Sequence, residues 1–409
     1  MTQQHTLRTA WRNITRQIHR SRAALTAIAF GVVAMVLAAG FIDWNLRFGR
    51  DNTIESQLGH LQLMKPGFLE NGRADPYAYL LPPQGEAEHA ALQAVKGYRF
   101  TAPRLLLAGL ASSGEVTLSF IGEGVDPQAE AGMQSGLRFP QGRNLAPGEP
   151  NTAVVGRGLA QNLGLEIGAS LVLIANTESG GISAVEAQVV GIFESISQAY
   201  DDAALRVPIG LARELMRTEG EHLRLVYLDD VGSVPAALDQ LSRSLPATEV
   251  QVVPWTELAD FYNKTAALFA KQVGVIYVII AVIIVLSISN TMTMMVMERV
   301  GEIGTLMALG IRRSGIRTQF LLEGLILGLV GICIGLVVGV LLAALVSAVG
   351  IPMPPGPGMS WGYDAGILLS ARSLLTAAGI ALVTTLAASL YPSWRASRLE
   401  IVDALRARQ

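Results

Sequence analysis

The sequence predicts a polytopic α-helical membrane protein with four transmembrane helices and a large α+β domain between helices 1 and 2. Of the 409 residues, 51% are hydrophobic and only 16% are charged, against roughly 25% charged in an average soluble domain. Four segments, 23–42, 272–297, 324–351 and 373–393, contain no Asp, Glu, Lys or Arg. Each reaches the roughly 20 residues that a helix needs to cross a bilayer. More than 220 residues separate the first two segments, which is enough for a domain with its own core.

Charge and cysteine content exclude several other classes. The 31 basic and 33 acidic side chains leave a net charge of −2, which excludes nucleic-acid binding driven by bulk positive charge. The high apolar content excludes a disordered chain. The single cysteine, Cys333, excludes a disulfide scaffold and a cysteine-rich metal site.

The N-terminal segment predicts an anchor rather than a cleaved leader. Residues 1–22 form an expected amphipathic cytoplasmic segment that carries Arg8, Arg12, Arg16, Arg20 and Arg22, and residues 23–43 form the first span. A signal peptide is the alternative, because Ala38-Ala39-Gly40 ends the apolar run. Its 20 apolar residues exceed the usual apolar core of a signal peptide and favour the anchor.

The charge of the loops predicts the orientation. The segments expected inside carry 13 basic residues and five acidic ones, whereas residues 43–271 carry 27 acidic and 17 basic residues. By the positive-inside rule, both termini and residues 298–317 lie in the cytoplasm. Residues 44–265 and the loop 352–372 lie outside, and 394–409 is a cytoplasmic tail. The remaining spans are 266–297, 318–351 and 373–393.

The external domain shows both strand and helix patterns. Alternating apolar residues predict strands at 61–64, 115–120, 171–174 and 187–190, and helical spacing appears at 86–95, 158–163, 210–217 and 234–245. A Gly- and Pro-rich stretch at 132–150 marks an internal boundary. The domain is therefore predicted to hold an inserted lobe at about 126–205, with the chain returning at Arg206.

A helical stalk is predicted to join this domain to the second span. Helical spacing continues into the span through six residues, which are Leu258, Phe261, Tyr262, Thr265, Leu268 and Phe269. A continuous helix from Trp255 to Met297 would have 43 residues and extend roughly 64 Å at ~1.5 Å per residue. The alternative is a pair of amphipathic segments that lie on the bilayer.

Glycines in the third span predict close helix packing. They form a stripe of small residues at Gly324, Gly328, Gly331, Gly335 and Gly339. Packing against the alanine-rich fourth span is the preferred interpretation, and an interface between two subunits is the alternative.

Catalytic and metal-binding patterns are missing from the sequence. There is no phosphate-binding G-x-x-x-x-G-K-[ST] motif, no H-E-x-x-H motif and no nucleophile elbow, and the five histidines are scattered. The spans hold no ionisable residue near their centres, which argues against a proton or ion relay. The chain is predicted to be a non-catalytic subunit without its own cofactor or metal, and its substrate site is unknown.

The connection between the second and third spans predicts a short amphipathic helix. Ile303, Leu306, Met307 and Gly310 recur at helical spacing, and Gly310 can end the helix. Two turns cannot form a core alone. The apolar face needs either the membrane surface or a groove of a protein partner, and the pattern does not choose between them.

Two sequence stretches around this helix resemble a known family. Residues 298–310, Glu298-Arg299-Val300-Gly301-Glu302-Ile303-Gly304-Thr305-Leu306-Met307-Ala308-Leu309-Gly310, and Gln319-Phe320-Leu321-Leu322-Glu323 resemble the E-R-x-x-E-I-G-x-x-x-A-L-G…Q-F-L-x-E pattern of FtsX-like permeases. These are the MacB-type (type VII) ABC transporters. The segment 151–168 resembles their periplasmic core, and the tail 392–406 resembles their C-terminal ending, with Ile401 where proline is usual.

The resemblance implies partners and a location. It implies a separate ABC ATPase, in two copies and carrying ATP and Mg, that docks on residues 298–310, and a second permease subunit, identical or homologous. It also implies a bacterial inner-membrane location, contact with membrane lipids, a possible periplasmic carrier or adaptor protein, and no nucleic acid.

The segment Gly59-His60-Leu61-Gln62-Leu63 further resembles the G-H-[IL]-Q-[IL] segment of lipoprotein-release permeases. The expected function is ATP-driven movement of the periplasmic domain that releases lipoproteins from the inner membrane. Export of periplasmic peptides or small molecules with a tunnel partner, and FtsX-like signalling to a periplasmic enzyme, are the alternatives.

Overall fold

The structure is a computed structural model that describes residues 18–72, 74–130, 136–195, 197–355 and 359–398. Arg8, Arg12 and Arg16 of the predicted amphipathic N-terminal segment, and residues 399–409 of the predicted tail, lie outside these residues. The chain divides into two compact units. A helical unit comprises the chain up to Arg47, Thr265–Pro352 and the chain from Asp364, and an α/β unit comprises Phe48–Lys264 and Met353–Tyr363.

The elements follow one another along the chain with bounds that we use below. The helices are α1 Ile18–Thr53, α2 Phe68–Asn71, α3 Glu86–Gln93, α4 Pro127–Glu130, α5 Arg157–Leu163, α6 Gln198–Asp201, α7 Ile209–Met216, α8 Val234–Ser244, α9 Trp255–Leu258, α10 Asp260–Glu298, α11 Val300–Ala308, α12 Arg313–Val349 and α13 Ala371–Ser397. The strands are β1 Leu61–Met64, β2 Tyr98–Ser113, β3 Val116–Val125, β4 Arg138–Gly142, β5 Thr152–Gly156, β6 Ser170–Asn176, β7 Ile182–Glu194, β8 Ala204–Pro208, β9 Leu223–Leu228, β10 Gln251–Pro254, β11 Ile351–Met353 and β12 Tyr363–Ala365.

Four helices of the helical unit are long and apolar enough to cross a membrane, namely α1, α10, α12 and α13. Their 27 to 39 residues exceed the roughly 20 that span the hydrocarbon layer. One apolar cluster joins residues of all four helices and includes Ile28, Ile284, Leu327 and Ala381. The prediction of four apolar helices is confirmed.

The predicted continuous helix from Trp255 is interrupted at Ala259. Its backbone takes φ −85° and ψ 54°, so α9 ends at Leu258 and α10 begins at Asp260. The Asn263 side-chain amide donates to the Thr256 carbonyl across the break at 2.6 Å, which satisfies an acceptor at the end of α9. The helix that leads into the second apolar segment therefore has 39 residues rather than 43.

The α/β unit is built on one ten-stranded sheet. The strand order is β10-β1-β9-β2-β3-β8-β5-β7-β4, and β6 pairs with both β2 and β7. Because β6 bridges these two strands, six strands close into a ring in the order β2-β3-β8-β5-β7-β6. A buried apolar cluster that includes Leu107, Phe120, Leu173 and Leu205 fills this region. The prediction of a mixed α and β domain is confirmed.

The strands of the predicted inserted lobe join the same sheet as the strands that flank it. β8 runs parallel to β3, with Ile121 opposite Ala204 and Val125 opposite Pro208, and it also pairs antiparallel with β5. The chain that returns at Arg206 is thus the element that joins the predicted lobe to the rest of the sheet.

The end of α1 is attached to this sheet by a buried arginine. After Thr53 the helix widens into a π-helical turn at Ile54–Leu58. Arg206 of β8 donates to the Ser56 carbonyl at 3.0 Å and lies 3.1 Å from a carboxylate oxygen of Glu123. A cation at this position suits the partial negative charge of a helix C-terminus.

Candidate functional site

The candidate site is the short helix α11, which the backbone isolates from its long neighbours. Arg299 leaves the helical conformation with φ −105° and ψ 13° and so separates α10 from α11. At the other end Gly310 takes φ +90°, a conformation that favours glycine. Its N–H donates to the Met307 carbonyl and that of Ile311 donates to the Leu306 carbonyl, at 3.0 and 3.1 Å. These bonds close the helix as a glycine C-cap does.

The apolar face of α11 packs against the chain's own helices. Ile303 and Met307 are buried and belong to the same apolar cluster as Ile316 and Phe320 of α12. The sequence predicted that either the membrane surface or the groove of a partner covers this face. The structure corrects both alternatives, because the chain's own helices cover Ile303 and Met307. Two turns of helix can bury a face intramolecularly because α12 begins at Arg313, well before its apolar segment, and brings Ile316 and Phe320 against α11.

The opposite side of α11 is exposed. Glu302, Thr305, Ala308 and Leu309 face away from the apolar cluster, and Leu309 is 77% exposed. Leu306 is half-buried against the cluster. Of the predicted coupling residues, the exposed ones are therefore Glu298, Glu302, Ala308, Leu309 and Gly310, whereas Ile303 and Met307 are buried and support the helix from within.

Arg299 fixes α11 to α12 by a partly buried ion pair. Its Nη1 donates to the two carboxylate oxygens of Glu323 at 3.0 and 3.3 Å, and its Nε donates to Glu302 at 3.0 Å. Glu323 is 1% exposed. The guanidinium carbon lies 5.5 Å from the ring centroid of Phe320, within the range of a cation–π contact. Glu298 ends α10 next to this arginine.

The ion pair explains why one sequence motif includes residues that lie more than 20 positions apart. Arg299, Glu302, Phe320 and Glu323 all belong to the pattern quoted above, and Gln319 also lies 3.5 Å from Glu323. Sequence reasoning missed this contact. The signal was a carboxylate directly before an apolar segment, because a buried Glu there requires a cationic partner.

The glycine stripe of α12 contacts two helices rather than one. A Cβ at Gly324 or Gly328 would lie within 2.8 Å of Ser389 or Thr385 of α13. A Cβ at Gly331, Gly335 or Gly339 would instead meet Ile28, Val32 or Val36 of α1, the first two within 2.8 Å. The preferred interpretation placed the whole stripe against the fourth span. The structure corrects this for the last three glycines.

The predicted stalk residues are divided among different environments. Leu258 lies in α9, whereas Phe261, Tyr262, Thr265, Leu268 and Phe269 lie in α10. The Tyr262 ring packs edge-on against Trp255 with centroids 5.2 Å apart. Phe261 and Leu268 are exposed.

Residues of the Gly-His-Leu-Gln-Leu segment stabilise the turn between α1 and β1. Gly59 has φ +64°, the buried His60 accepts the Leu228 N–H at its Nδ1 at 3.2 Å, and Gln62 donates to the Leu58 carbonyl at 3.0 Å. Burial lowers the pKa of His60 to about 4, with a smaller contribution from Arg99. The polar side chains of this motif are thus engaged inside the α/β unit.

A metal site needs a cluster of ligating side chains with suitable geometry. Among the described residues, no cluster of three or more His, Cys, Asp or Glu side chains could hold a metal ion. α11 instead presents an exposed edge and is anchored by Arg299, the residue that precedes it. This arrangement suits mechanical contact with another protein.

Two family models match the chain. Residues 22–244, more than half of the chain, match the MacB-like periplasmic core domain. Residues 274–401 match the C-terminal region of FtsX-like permeases, which contains α11 and the ion pair of Arg299.

Individual relatives come from several kinds of permease. The lipoprotein-releasing system transmembrane protein LolC of Haemophilus influenzae is 26% identical over 261 residues, which cover 62% of this chain and 63% of that protein. The macrolide export ATP-binding/permease protein MacB of Bordetella avium is 33% identical over 157 residues, which cover 36% and 24%. An uncharacterized ABC transporter permease of Methanocaldococcus jannaschii is 24% identical over 333 residues, which cover 78% and 79%. The matched regions thus span less than two thirds of the LolC and MacB proteins. On the two family models, this chain belongs to the FtsX-like permeases with a MacB-like periplasmic core domain, the ABC transporter permeases of MacB and LolC type.

Proposed function

We propose that this chain is the membrane subunit through which a separate ABC ATPase drives movement of the α/β unit. The observation that carries the proposal is the anchored α11, with its apolar face buried, its first turn fixed by Arg299 and Glu323, and its outer edge exposed. A helix held this way transmits a push to α10 and α12 because it cannot move independently of them.

The direction of transmission follows from charge. Arg299, Arg312, Arg313 and Arg317 cluster around α11 in the sequence, and the positive-inside rule assigns such a loop to the cytoplasm. The acidic α/β unit then lies on the opposite side, in the periplasm of a bacterial inner membrane. ATP and Mg belong to the partner subunits, of which the proposal includes two copies.

A second permease subunit, identical or homologous, completes the proposed complex. α10 offers it a broad uncovered apolar face, on which Val275, Val278, Val282 and Leu286 are each more than half exposed. Lipid can cover the same face, so cysteine cross-linking at Leu286 in a Cys333→Ser background provides the test. Cross-linked dimers in the intact membrane support the proposal, and their absence over the whole face contradicts it.

Lipoprotein release from the inner membrane is the proposed cargo function, supported by the similarity to two LolC proteins. Export of a small molecule is the second candidate, favoured by the 33% identity to a macrolide export protein. A triacylated lipoprotein should raise the ATPase rate of the purified complex, whereas its deacylated form should not. Stimulation by a macrolide but by neither lipoprotein form would replace the first candidate with the second.

The docking of the ATPase is tested at Leu309. Leu309→Asp places a charge on the exposed edge of α11, so we expect about a tenfold loss of bound ATPase, as for a residue central to an interface. The measurement is the amount of ABC ATPase, identified by mass spectrometry, and of ATP hydrolysis that co-purify with the tagged chain.

Leu69→Asp is the control, because Leu69 is also an exposed leucine but lies in the α/β unit. It should leave the ATPase bound. Met307→Asp is not a clean test, since Met307 is buried and its replacement would disturb the fold. Full retention of ATPase by Leu309→Asp would remove the outer edge of α11 from the proposed interface.

A further inference from the structure

The outer surface of the strand ring carries an apolar face that the described elements of the α/β unit leave exposed. Strands β3, β2, β6 and β7 lie side by side, and their register aligns outward side chains in three rows. Each row is given in strand order. The first row is Ile121, Ala108, Asn176 and Ile182. The second row is Ser119, Leu110, Ile174 and Ala184, and the third row is Thr117, Ser112, Val172 and Glu186. The twelve positions cover roughly 14 Å by 14 Å between outer Cα atoms, at ~4.8 Å between strands and ~6.8 Å per two residues.

These positions are open to solvent although most of them are apolar. Seven of the twelve are Ala, Val, Leu or Ile, and Glu186 is the one charged residue among them. Ile121, Leu110, Val172 and Ile182 are between 37% and 75% exposed. By contrast, every residue of β5 and β8 in the same ring is buried. Contiguous apolar patches on the surface of folded domains are often functional.

The strands of this face and the turns between them carry mainly acidic residues, although Arg217 lines a cavity beside Glu178. Apart from the first part of β2, the four strands lie within residues 105–137 and 158–205. These two stretches contain ten acidic residues and no Lys, Arg or His. Glu115 lies in the turn between β2 and β3, Glu178 lies in the turn between β6 and β7, and Glu186 lies on the face itself. All three are exposed.

We propose that this face, the outer side of β3-β2-β6-β7, docks a partner protein that presents apolar side chains bordered by Lys and Arg. The apolar rows provide surface that a partner can bury. The acidic residues at the edge of the face favour a partner whose surrounding residues are positively charged. A second copy of this chain would bring like charges together, and an anionic lipid surface would be repelled. The inference deepens the proposed function, since it names the chemistry of the partner outside the membrane.

The experiment uses the full chain in nanodiscs of neutral phosphatidylcholine and two fluorescent amphipathic peptides as probes. The peptides share the same leucine positions, and one carries Lys where the other carries Glu. We expect the Lys peptide alone to bind by anisotropy. Leu110→Thr with Val172→Thr should weaken it about tenfold, because exposed methyl groups leave the contact while strand propensity stays high.

The control variants match the test variants in chemistry. Val116→Thr changes an exposed valine of β3 that points to the opposite side of the sheet, and it should leave binding unchanged. Glu115→Gln, Glu178→Gln and Glu186→Gln together should also weaken the Lys peptide about tenfold at low salt. The same change at the exposed residues Glu70, Glu86 and Glu257 should not.

Three results would overturn the inference. They are equal binding of the Glu peptide, equal loss with Val116→Thr, or dimers in analytical ultracentrifugation that dissociate when Leu110 and Val172 are replaced. None of these measurements involves the ATPase. Loss of peptide binding with retained ATPase therefore separates this inference from the proposed coupling through α11.

Discussion

At the scale of the residue, the ion pair of Arg299 and Glu323 determines whether α11 keeps its place. Glu323 is almost fully buried, so removing Arg299 takes a cationic partner away from a buried carboxylate. We expect Arg299→Gln or Glu323→Gln to lower the free energy of unfolding by about 3–5 kcal/mol. The measurement is unfolding of the detergent-solubilised chain by titration with a denaturing detergent.

The exposed Arg312 on the same loop provides the control for this prediction. Arg312→Gln should change stability by less than about 0.5 kcal/mol, as surface substitutions usually do. The double variant Arg299→Met with Glu323→Leu should recover most of the loss, because an apolar pair can replace a buried ion pair. Equal effects of Arg299→Gln and Arg312→Gln would contradict an anchoring role.

Two buried histidines predict how the stability of the α/β unit depends on pH. Burial lowers the pKa of both His60 and His222 to about 4, whereas the unfolded value is about 6.5. Below pH 6.5 the unfolded chain binds protons that the folded chain does not, so stability falls as the pH falls toward 4. The loss approaches about 3 kcal/mol per histidine, at ~1.4 kcal/mol per pH unit.

The prediction is checked by urea unfolding, followed through tyrosine and tryptophan fluorescence, at pH 7 and pH 5. His222→Gln should reduce the difference between the two values, since it removes one of the two titrating groups. His89→Gln changes an exposed histidine and should leave the difference as it is. A pH dependence unaffected by His222→Gln would show that other groups cause it.

At the scale of the element, apolar length was enough to predict the four long helices. The face that α11 buries could not be predicted in the same way. Its spacing identifies Ile303 and Met307 as one face, but the identity of the covering surface depends on where Phe320 and Ile316 lie in three dimensions. The break at Ala259 was also missed, because alanine favours helices and nothing in its neighbours ends one.

The glycines of α12 and α13 allow a matched test of helix packing. A methyl group at Gly335 would lie 2.7 Å from Val32 Cβ and 2.8 Å from the Ala29 carbonyl oxygen, whereas one at Gly379 would meet nothing within 4 Å. We expect Gly335→Ala to destabilise by about 1–3 kcal/mol through overpacking. Gly379→Ala should be neutral or stabilise by up to about 1 kcal/mol, and both are measured in the detergent titration. A stable Gly335→Ala variant would show that α1 and α12 separate easily.

At the scale of the whole molecule, the closed strand ring could not be predicted from the sequence. Its closure depends on β6 pairing with both β2 and β7 and on β8 pairing with β3, about 80 residues apart. The alternation of Leu171, Leu173 and Ala175 predicts a strand with one buried face, yet it gives no information about the partner strands. The sheet therefore continues across the boundary that was predicted between the lobes.

The α/β unit also includes a distant piece of chain, Met353–Tyr363. Ser360 donates to the buried Asp201 carboxylate at 2.6 Å, the Arg138 guanidinium lies 3.6 Å from the Trp361 ring centroid, and Tyr363 stacks on Phe48 at 4.5 Å. A hydrogen bond to a charged group and contacts of aromatic rings each contribute about 0.5–3 kcal/mol. This segment is therefore a structural part of the unit.

A comparison of two soluble fragments tests whether this segment stabilises the unit. One fragment holds residues 48–264 alone, and the other carries residues 353–363 joined to it by a flexible Gly/Ser linker. We expect the joined fragment to be more stable by about 2–4 kcal/mol in urea unfolding, because it retains the contacts to Asp201, Arg138 and Phe48. Ser360→Ala, Trp361→Ala and Tyr363→Ala together should return the joined fragment to the stability of the shorter one, because they remove the contacts to Asp201, Arg138 and Phe48. Met353→Ala, outside these contacts, should have a smaller effect. Equal stability of the two original fragments would mean that the segment only rests on the unit, and that the unit folds from its contiguous sequence alone.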